Sequence, residues 1–206
     1  MKKKFLYRFL LLLLISLFSF SLYASCSLWI GTGFISNKTY LDETEKQNFK
    51  TMLADFQNLK NINYIGPTLD IMFIPYNSIP IGLKLATQPL FPVGYNGTQD
   101  FRTFHGDLKN KTMVSLAYAD TFSDTFGLTV EMGYEYDYYR IEKTNQQNTT
   151  NKSDYTYFDN HALFGEICLL TTMPNAYFKF GCNYSHSIIN TSQSYDFIFS
   201  GGFKFS

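Results

Sequence analysis

Phe126-Gly127-Leu128-Thr129-Val130-Glu131-Met132-Gly133-Tyr134-Glu135-Tyr136-Asp137-Tyr138 decides the fold. Every second residue from Phe126 is apolar or aromatic, and those between are small or charged. An extended chain sends alternate side chains to opposite faces, so this is one ribbon with an oily side and a polar side. Ordinary globular strands run to about five or six residues, whereas a tilted strand crossing a bilayer needs about nine to eleven. A lone ribbon in lipid would leave its edge N–H and C=O groups without partners, so it requires enough further strands to close a barrel.

The rest of the chain supplies them. The same alternation recurs over 27–36, 65–75, 79–88, 112–121, 157–171, 176–187 and 195–205, which with 126–139 makes eight strands. The number is even, as antiparallel bacterial barrels require. The apolar face can be followed through Leu69, Ile71 and Phe73, through Ile81, Leu83 and Leu85, and on to Phe197, Phe199, Phe203 and Phe205. The opposite set holds Asp70, Lys84, Glu131, Glu166, Lys179, Asp196 and Lys204. Leu28-Trp29-Ile30-Gly31-Thr32-Gly33-Phe34 does not alternate cleanly, and its facing stays open.

The connections alternate in length. Residues 76–78, 122–125 and 172–175 are short turns of Asn, Ser, Asp and Pro, while 37–64, 89–111, 140–156 and 188–194 are longer and polar. Alternation of this kind gathers the tight turns at one end of a cylinder and the long loops at the other, the arrangement of outer-membrane barrels. Within the first long loop, Thr44-Glu45-Lys46-Gln47 reads as a capping box. Phe49, Met52, Leu53, Phe56 and Leu59 follow at helical spacing, which predicts a short amphipathic helix over the barrel mouth.

Composition agrees. The 206 residues carry seventeen basic and seventeen acidic side chains, so no charge excess points to nucleic acid. Sixteen Tyr and twenty-one Phe favour strands, and a mean hydropathy of −0.13 is too low for several membrane helices. Lys2, Lys3, Lys4 and Arg8 precede an apolar run from Phe9 to Leu22, which reads as an export signal over 1–25 followed by one barrel domain over 26–206. Ala24-Ser25-Cys26 also has the form of a lipoprotein signal end, although Tyr23 is a poor fit to it. Cys168 and Cys182 fall on opposite faces of their strands, poor geometry for a bridge.

Alternation alone does not separate a membrane barrel from a soluble lipocalin-like one; the two differ in which face points outward. Rings gather toward strand ends at Tyr134, Tyr136, Tyr138, Tyr195 and Phe205, the strands are long, and the chain ends on a strand. On these features the segment 27–206 resembles the OmpA/OmpX-type family of small outer-membrane barrels. The most specific part is the last strand, whose alternating rings are similar to the signal read by the outer-membrane insertion machinery. Ser206 after Phe205 and Gly201 within the series depart from that pattern.

The expected fold class is therefore all-β, an eight-stranded antiparallel up-and-down transmembrane β-barrel with a short helix in the first long loop. An interior of this strand number is just wide enough for side chains to fill, so no diffusion pore is expected. Lys84, Lys179 and Lys204 should then pair with Asp70, Glu131, Glu166 and Asp196 in a structural ion network of the lumen, because a charge there must be paired or protonated. No catalytic, cofactor-binding or metal-binding set emerges. His186 is followed by Ser187 on the other face, His161 has Leu163 two residues on, and His105 lies in a loop. The expected function is non-enzymatic: a monomeric barrel of the bacterial outer membrane, termini in the periplasm, in contact with membrane lipid and meeting an extracellular partner through its long loops. A barrel carrying a small apolar ligand, with Gly82, Gly165 and Gly202 as places for a gap, and a soluble secreted lipid carrier are the alternatives.

Overall fold

The computed structural model describes residues 26–52, 59–75, 79–95, 98–99, 108–143 and 154–205. The export segment 1–25, Leu53 and Phe56 of the expected helix, the short turn 76–78, and loop residues 96–97, 100–107 (with His105) and 144–153 lie outside them. Eight antiparallel strands follow one another as β1 (Ser27–Tyr40), β2 (Asn61–Ile74), β3 (Ile81–Tyr95), β4 (Leu108–Thr121), β5 (Phe126–Lys143), β6 (Asp154–Thr172), β7 (Ala176–Ser187) and β8 (Gln193–Phe205). Helix α1 (Glu43–Met52) stands in the first long loop. Each strand pairs with the next, and β1 pairs with β8 from Leu28↔Phe205 to Tyr40↔Gln193, so the sheet closes on itself. Thr98–Gln99 adds a two-residue pairing to the far end of β3.

Closure removes every sheet edge, the one way a sheet can leave no backbone group unpaired in hydrocarbon. Only the β2–β3 ladder is irregular. Its pairing stops at Ile65↔Phe91 and resumes at Leu69↔Thr87, with Pro67 and Pro89 in the interval. Neither proline has an N–H to give to a ladder. The strands nevertheless approach closely there, since a Cβ on Gly66 would lie 2.0 Å from the Pro89 carbonyl oxygen.

The turns at one end are tight. Phe122 and Ser123 N–H groups both donate to the Phe126 carbonyl at 3.0 and 3.1 Å, and Met173 N–H donates to the Ala176 carbonyl at 2.8 Å. The helix starts two residues earlier than the sequence pattern suggested. Asp42, not Thr44, is the N-cap: its Oδ1 accepts the Glu45 N–H at 2.7 Å, and Glu45 Oε2 accepts the Asp42 N–H at 3.2 Å. A carboxylate caps as well as a hydroxyl, so Asp42-x-x-Glu45 is the reciprocal box.

Several strands run further toward the long-loop end than their alternation indicates. β1 reaches Tyr40, β2 begins at Asn61, β3 reaches Tyr95 and β4 begins at Leu108. Inward-facing Asn37, Thr39, Lys109 and Lys111 are all buried, so polar stretches that read as loop are strand there because their side chains enter a polar interior.

Orientation is unambiguous. Phe197 is 64% exposed, Leu163 59% and Ile81 49%, whereas Glu131 is 1% and Lys179 3%. The apolar set faces out and the ionic set is enclosed, the reverse of a soluble lipid carrier. The facing of β1 is also settled, with Trp29 and Ile35 buried inward and Ile30 and Phe34 outward.

Candidate functional site

The interior is stacked in layers along the barrel axis. At the short-turn end an apolar layer holds Trp29, Met72, Ile74, Leu170 and Tyr177, with the Trp29 and Tyr177 rings 4.9 Å apart. At the long-loop end another apolar layer gathers Ile35, Ile62, Leu90, Tyr139 and Ile141 from the strands together with Leu41 and Leu59, which flank the helical loop. Ala86, Met113 and Phe164 form a thin apolar layer of their own. Two ionic clusters belong to the same interior.

The first cluster unites five of the seven residues expected in the lumen. Lys84 Nζ lies 2.7 Å from Glu131 Oε2, 3.1 Å from Glu166 Oε1 and 3.8 Å from Asp70 Oδ2. Lys179 Nζ lies 3.2 Å from Asp70, 3.5 Å from Glu131 and 3.9 Å from Glu166. Tyr177 donates its hydroxyl to Asp70 at 3.1 Å, and the Ser115 hydroxyl donates to Glu131 at 3.3 Å. All five charged side chains are buried. At such depth each ion is stable only because several opposite charges and donors surround it.

The remaining two fall elsewhere. Asp196 belongs to a second cluster, where its Oδ2 accepts from Lys111 Nζ at 2.8 Å and its Oδ1 accepts from the Asn37 amide. Lys111 also reaches Glu135 at 3.0 Å, and Lys109 reaches Asp137 at 3.0 Å. Lys204 joins neither cluster, and the pairing expected of it is corrected here: its Nζ sits 5.4 Å from the Trp29 ring centroid, a cation–π contact at the short-turn end. It is the penultimate residue of β8, where the neighbouring layer is apolar and offers a ring instead of a carboxylate.

Lys109, Lys111, Glu135 and Asp137 were not singled out from sequence. The last two lie on the polar face of the 126–138 ribbon, so their enclosure follows from its alternation. The two lysines stand in Lys109-Asn110-Lys111-Thr112, a stretch with no apolar face.

At the mouth, Glu45 is 3% exposed and accepts from the Asn190 amide at 3.4 Å, tying α1 to the β7–β8 loop. Burial pushes its carboxyl up to about 7, against the pull of the Asp42 backbone N–H, Lys109 and Asn190.

The outer wall carries polar groups as well. The Tyr134 hydroxyl and His161 Nδ1 share a hydrogen bond, and His161 Nε2 stands 3.7 Å from Asp159 Oδ2. These side chains belong to a ring belt that includes the Tyr138–Tyr157 stack and the Tyr184–Tyr195 pair, at the level where an interfacial girdle sits. Cys168 is buried and Cys182 exposed, on opposite sides of the wall.

The closed, apolar-outside barrel with one end of long connections is the geometry that decides the comparison. The chain has the fold of the small OmpA/OmpX-type outer-membrane β-barrels. Ail, the attachment invasion locus protein of Yersinia pestis, superposes with a TM-score of 0.56 at 12% identity, over 87% of this chain and 98% of that one. Neisserial surface protein A superposes with a TM-score of 0.60 at 8% identity, over 86% of this chain and 97% of that one. A second Ail structure, in complex with the heparin analogue sucrose octasulfate, gives 0.54 at 11% identity. No protein-family model matches the chain, and no curated protein matches it in sequence. At such identities the likeness is one of small-barrel architecture.

Proposed function

We propose that this chain is a non-enzymatic integral protein of the bacterial outer membrane, a stable barrel with a filled lumen whose long loops meet a partner outside the cell. The observation that carries this reading is the layered interior: apolar layers at both ends enclose two ion clusters, which supports a lumen filled by side chains. The ion clusters act as structural cross-links, each joining strands far apart in the chain. A monomer fits this reading, in that closure leaves no strand edge through which a second copy could pair.

The termini face the periplasm on this reading, because outer-membrane barrels keep their tight turns there and both termini lie at the tight-turn end. The last strand, with outward Phe197, Phe199, Phe203 and Phe205, is the element offered to the insertion machinery. Ail's attachment role suggests adhesion as the surface activity, carried by the loops.

The ligand-carrying alternative needs an opening in the wall. At Gly82 and Gly202 the neighbouring backbone fills the space instead: a Cβ would stand 2.3 Å from the Phe73 carbonyl oxygen and 2.0 Å from that of Ile30. Gly165 faces outward within a continuous ladder, and a Cβ there would make an ordinary contact with the Glu131 carbonyl oxygen at 3.9 Å.

Heat-modifiable gel migration of protein extracted from outer membranes tests the location and fold together. The folded form should run differently until boiled, and protein that is soluble without detergent and shows no shift overturns the reading. Liposome swelling with small sugars should stay at background. Protease added to whole cells should cut within the long loops and spare both termini.

A further inference from the structure

Around the inner wall, cross-strand partners form one continuous row: Glu131↔Glu166, Glu166↔Asn183, Asn183↔Asp196 and Asp196↔Asn37. Directly opposed residues of an antiparallel pair hold their Cβ atoms about 4.5–5.5 Å apart. Asn183 therefore stands between a carboxylate of the first ion cluster and a carboxylate of the second, and it is their shared neighbour.

The charges on either side do not balance. In the first cluster Asp70, Glu131 and Glu166 face Lys84 and Lys179; in the second Glu135, Asp137 and Asp196 face Lys109 and Lys111. Each holds three carboxylates against two ammoniums, among the described residues. An uncompensated charge in a low-dielectric interior is costly, so each cluster favours one further positive charge.

Asn183 is the buried polar group that lies between them. The side chain is 3% exposed, yet neither its Oδ1 nor its Nδ2 has a protein partner. Glu166 Oε2 beside it is also unpartnered, while Oε1 is held by Lys84. Asp196 on the other side has both oxygens engaged, by Asn37 and Lys111. A buried amide with unused hydrogen-bonding capacity on both atoms is uncommon in folded proteins and calls for a specific explanation.

We propose that Asn183 Oδ1 and Glu166 Oε2 form a site for a small monovalent cation, a sodium or potassium ion, lodged between the two ion clusters. Oxygen donors with one formal charge suit a hard cation. The one charged ligand, Glu166, belongs to the first cluster, whose excess is a single carboxylate with ammoniums already close, and this suits a single positive charge better than a double one. The site goes beyond the surface role proposed above, resting only on the enclosed interior of that reading. It makes barrel stability sensitive to the alkali cation present rather than to salt in general.

Urea unfolding of the full-length barrel in phospholipid vesicles tests this, with sodium, potassium or lithium chloride compared with N-methyl-D-glucamine chloride at matched ionic strength and pH. Above the dissociation constant, a tenfold rise in the concentration of the cation that binds should raise the folding constant about tenfold. No such rise should occur with N-methyl-D-glucamine, and Asn183→Leu and Glu166→Gln should each flatten the response. An equal rise in all salts, or an unaltered slope in both variants, overturns the proposal. Stability that follows pH but no alkali ion assigns the place to a proton and also overturns it. Should neither variant fold, crystals of the unaltered protein grown in rubidium chloride decide the matter: an anomalous peak beside Asn183 is expected, and water only is the refuting result. Heat-modifiable migration in parallel separates loss of the site from failure of the barrel reading itself.

Discussion

Replacing Lys84 by Met should cost far more stability than replacing Glu166 by Gln, although the two side chains are partners in one cluster. Lys84 Nζ has Glu131, Glu166 and Asp70 oxygens at 2.7, 3.1 and 3.8 Å, and methionine keeps much of the stem volume while deleting the charge. Removing one member of a buried ion pair costs ~3–5 kcal/mol, chiefly because the abandoned charge stays buried. Lys179 remains within 3.2–3.9 Å of the same three carboxylates and offsets part of that, which places Lys84→Met near the lower bound, ~3 kcal/mol. Glu166→Gln works in the opposite sense. It takes the cluster from three carboxylates and two ammoniums to two of each, and its amide oxygen still accepts from Lys84, so the cost should stay near ~1 kcal/mol, that of one ordinary hydrogen bond. A gap of about 2 kcal/mol is roughly a thirtyfold difference in folding constant. The single tryptophan, Trp29, reports on the unfolding from the apolar layer at the short-turn end. Urea titrations in vesicles, run in N-methyl-D-glucamine buffer so that no alkali cation contributes, measure both variants directly. Equal costs, or a greater cost for Glu166→Gln, would refute the claim that the excess of carboxylate sets the energetics of the cluster.

Docking of α1 should loosen as pH rises. Glu45 has its carboxyl raised to about 7 in the folded protein from about 4.5, so the folded state holds the proton more tightly and the stability this contributes is full below about 4.5 and lost as pH passes about 7. Amide protection factors of residues 43–47, with the intrinsic pH dependence of exchange divided out, should fall over that window, and Glu45→Gln should abolish the fall. Gly202→Val should block closure of the β1–β8 seam, because its Cβ would meet the Ile30 carbonyl oxygen at 2.0 Å and Gly31 Cα at 2.6 Å; the heat-modifiable band should vanish, and its survival would show that the seam can move. Phe199→Arg, on the outer wall where Phe199 is 58% exposed, should destabilise the barrel in vesicles by ~2–4 kcal/mol if the residue lies near the bilayer midplane. The same substitution should matter little in urea-free detergent micelles, whose headgroups a long side chain reaches easily.

The middle of each strand was legible because there the two faces differ most, lipid on one side and ions on the other. Leu128 against Glu131, or Leu83 against Lys84, announces its side of the wall by chemistry alone. Legibility fails at both ends for opposite reasons. In Leu28-Trp29-Ile30 both faces are apolar, since Trp29 packs inward on Tyr177 while its neighbours face outward, and the alternation disappears into a continuous oily run. In Lys109-Asn110-Lys111-Thr112 both faces are polar, with two lysines turned into the second ion cluster and Asn110 and Thr112 only half-buried on the outside. Such a stretch looks like loop. Partner choice was hidden for another reason: Asp196 goes to Lys111 rather than Lys179 because strand tilt and stagger, which no single strand records, fix which inward residues share a level. Loss of alternation in a barrel sequence is therefore informative. An oily run at the short-turn end and a polar run at the long-loop end report the lumen's apolar floor and its upper ion cluster. Had those ends been read as strands whose two faces match, both Lys109 and Lys111 would have entered the interior from sequence alone.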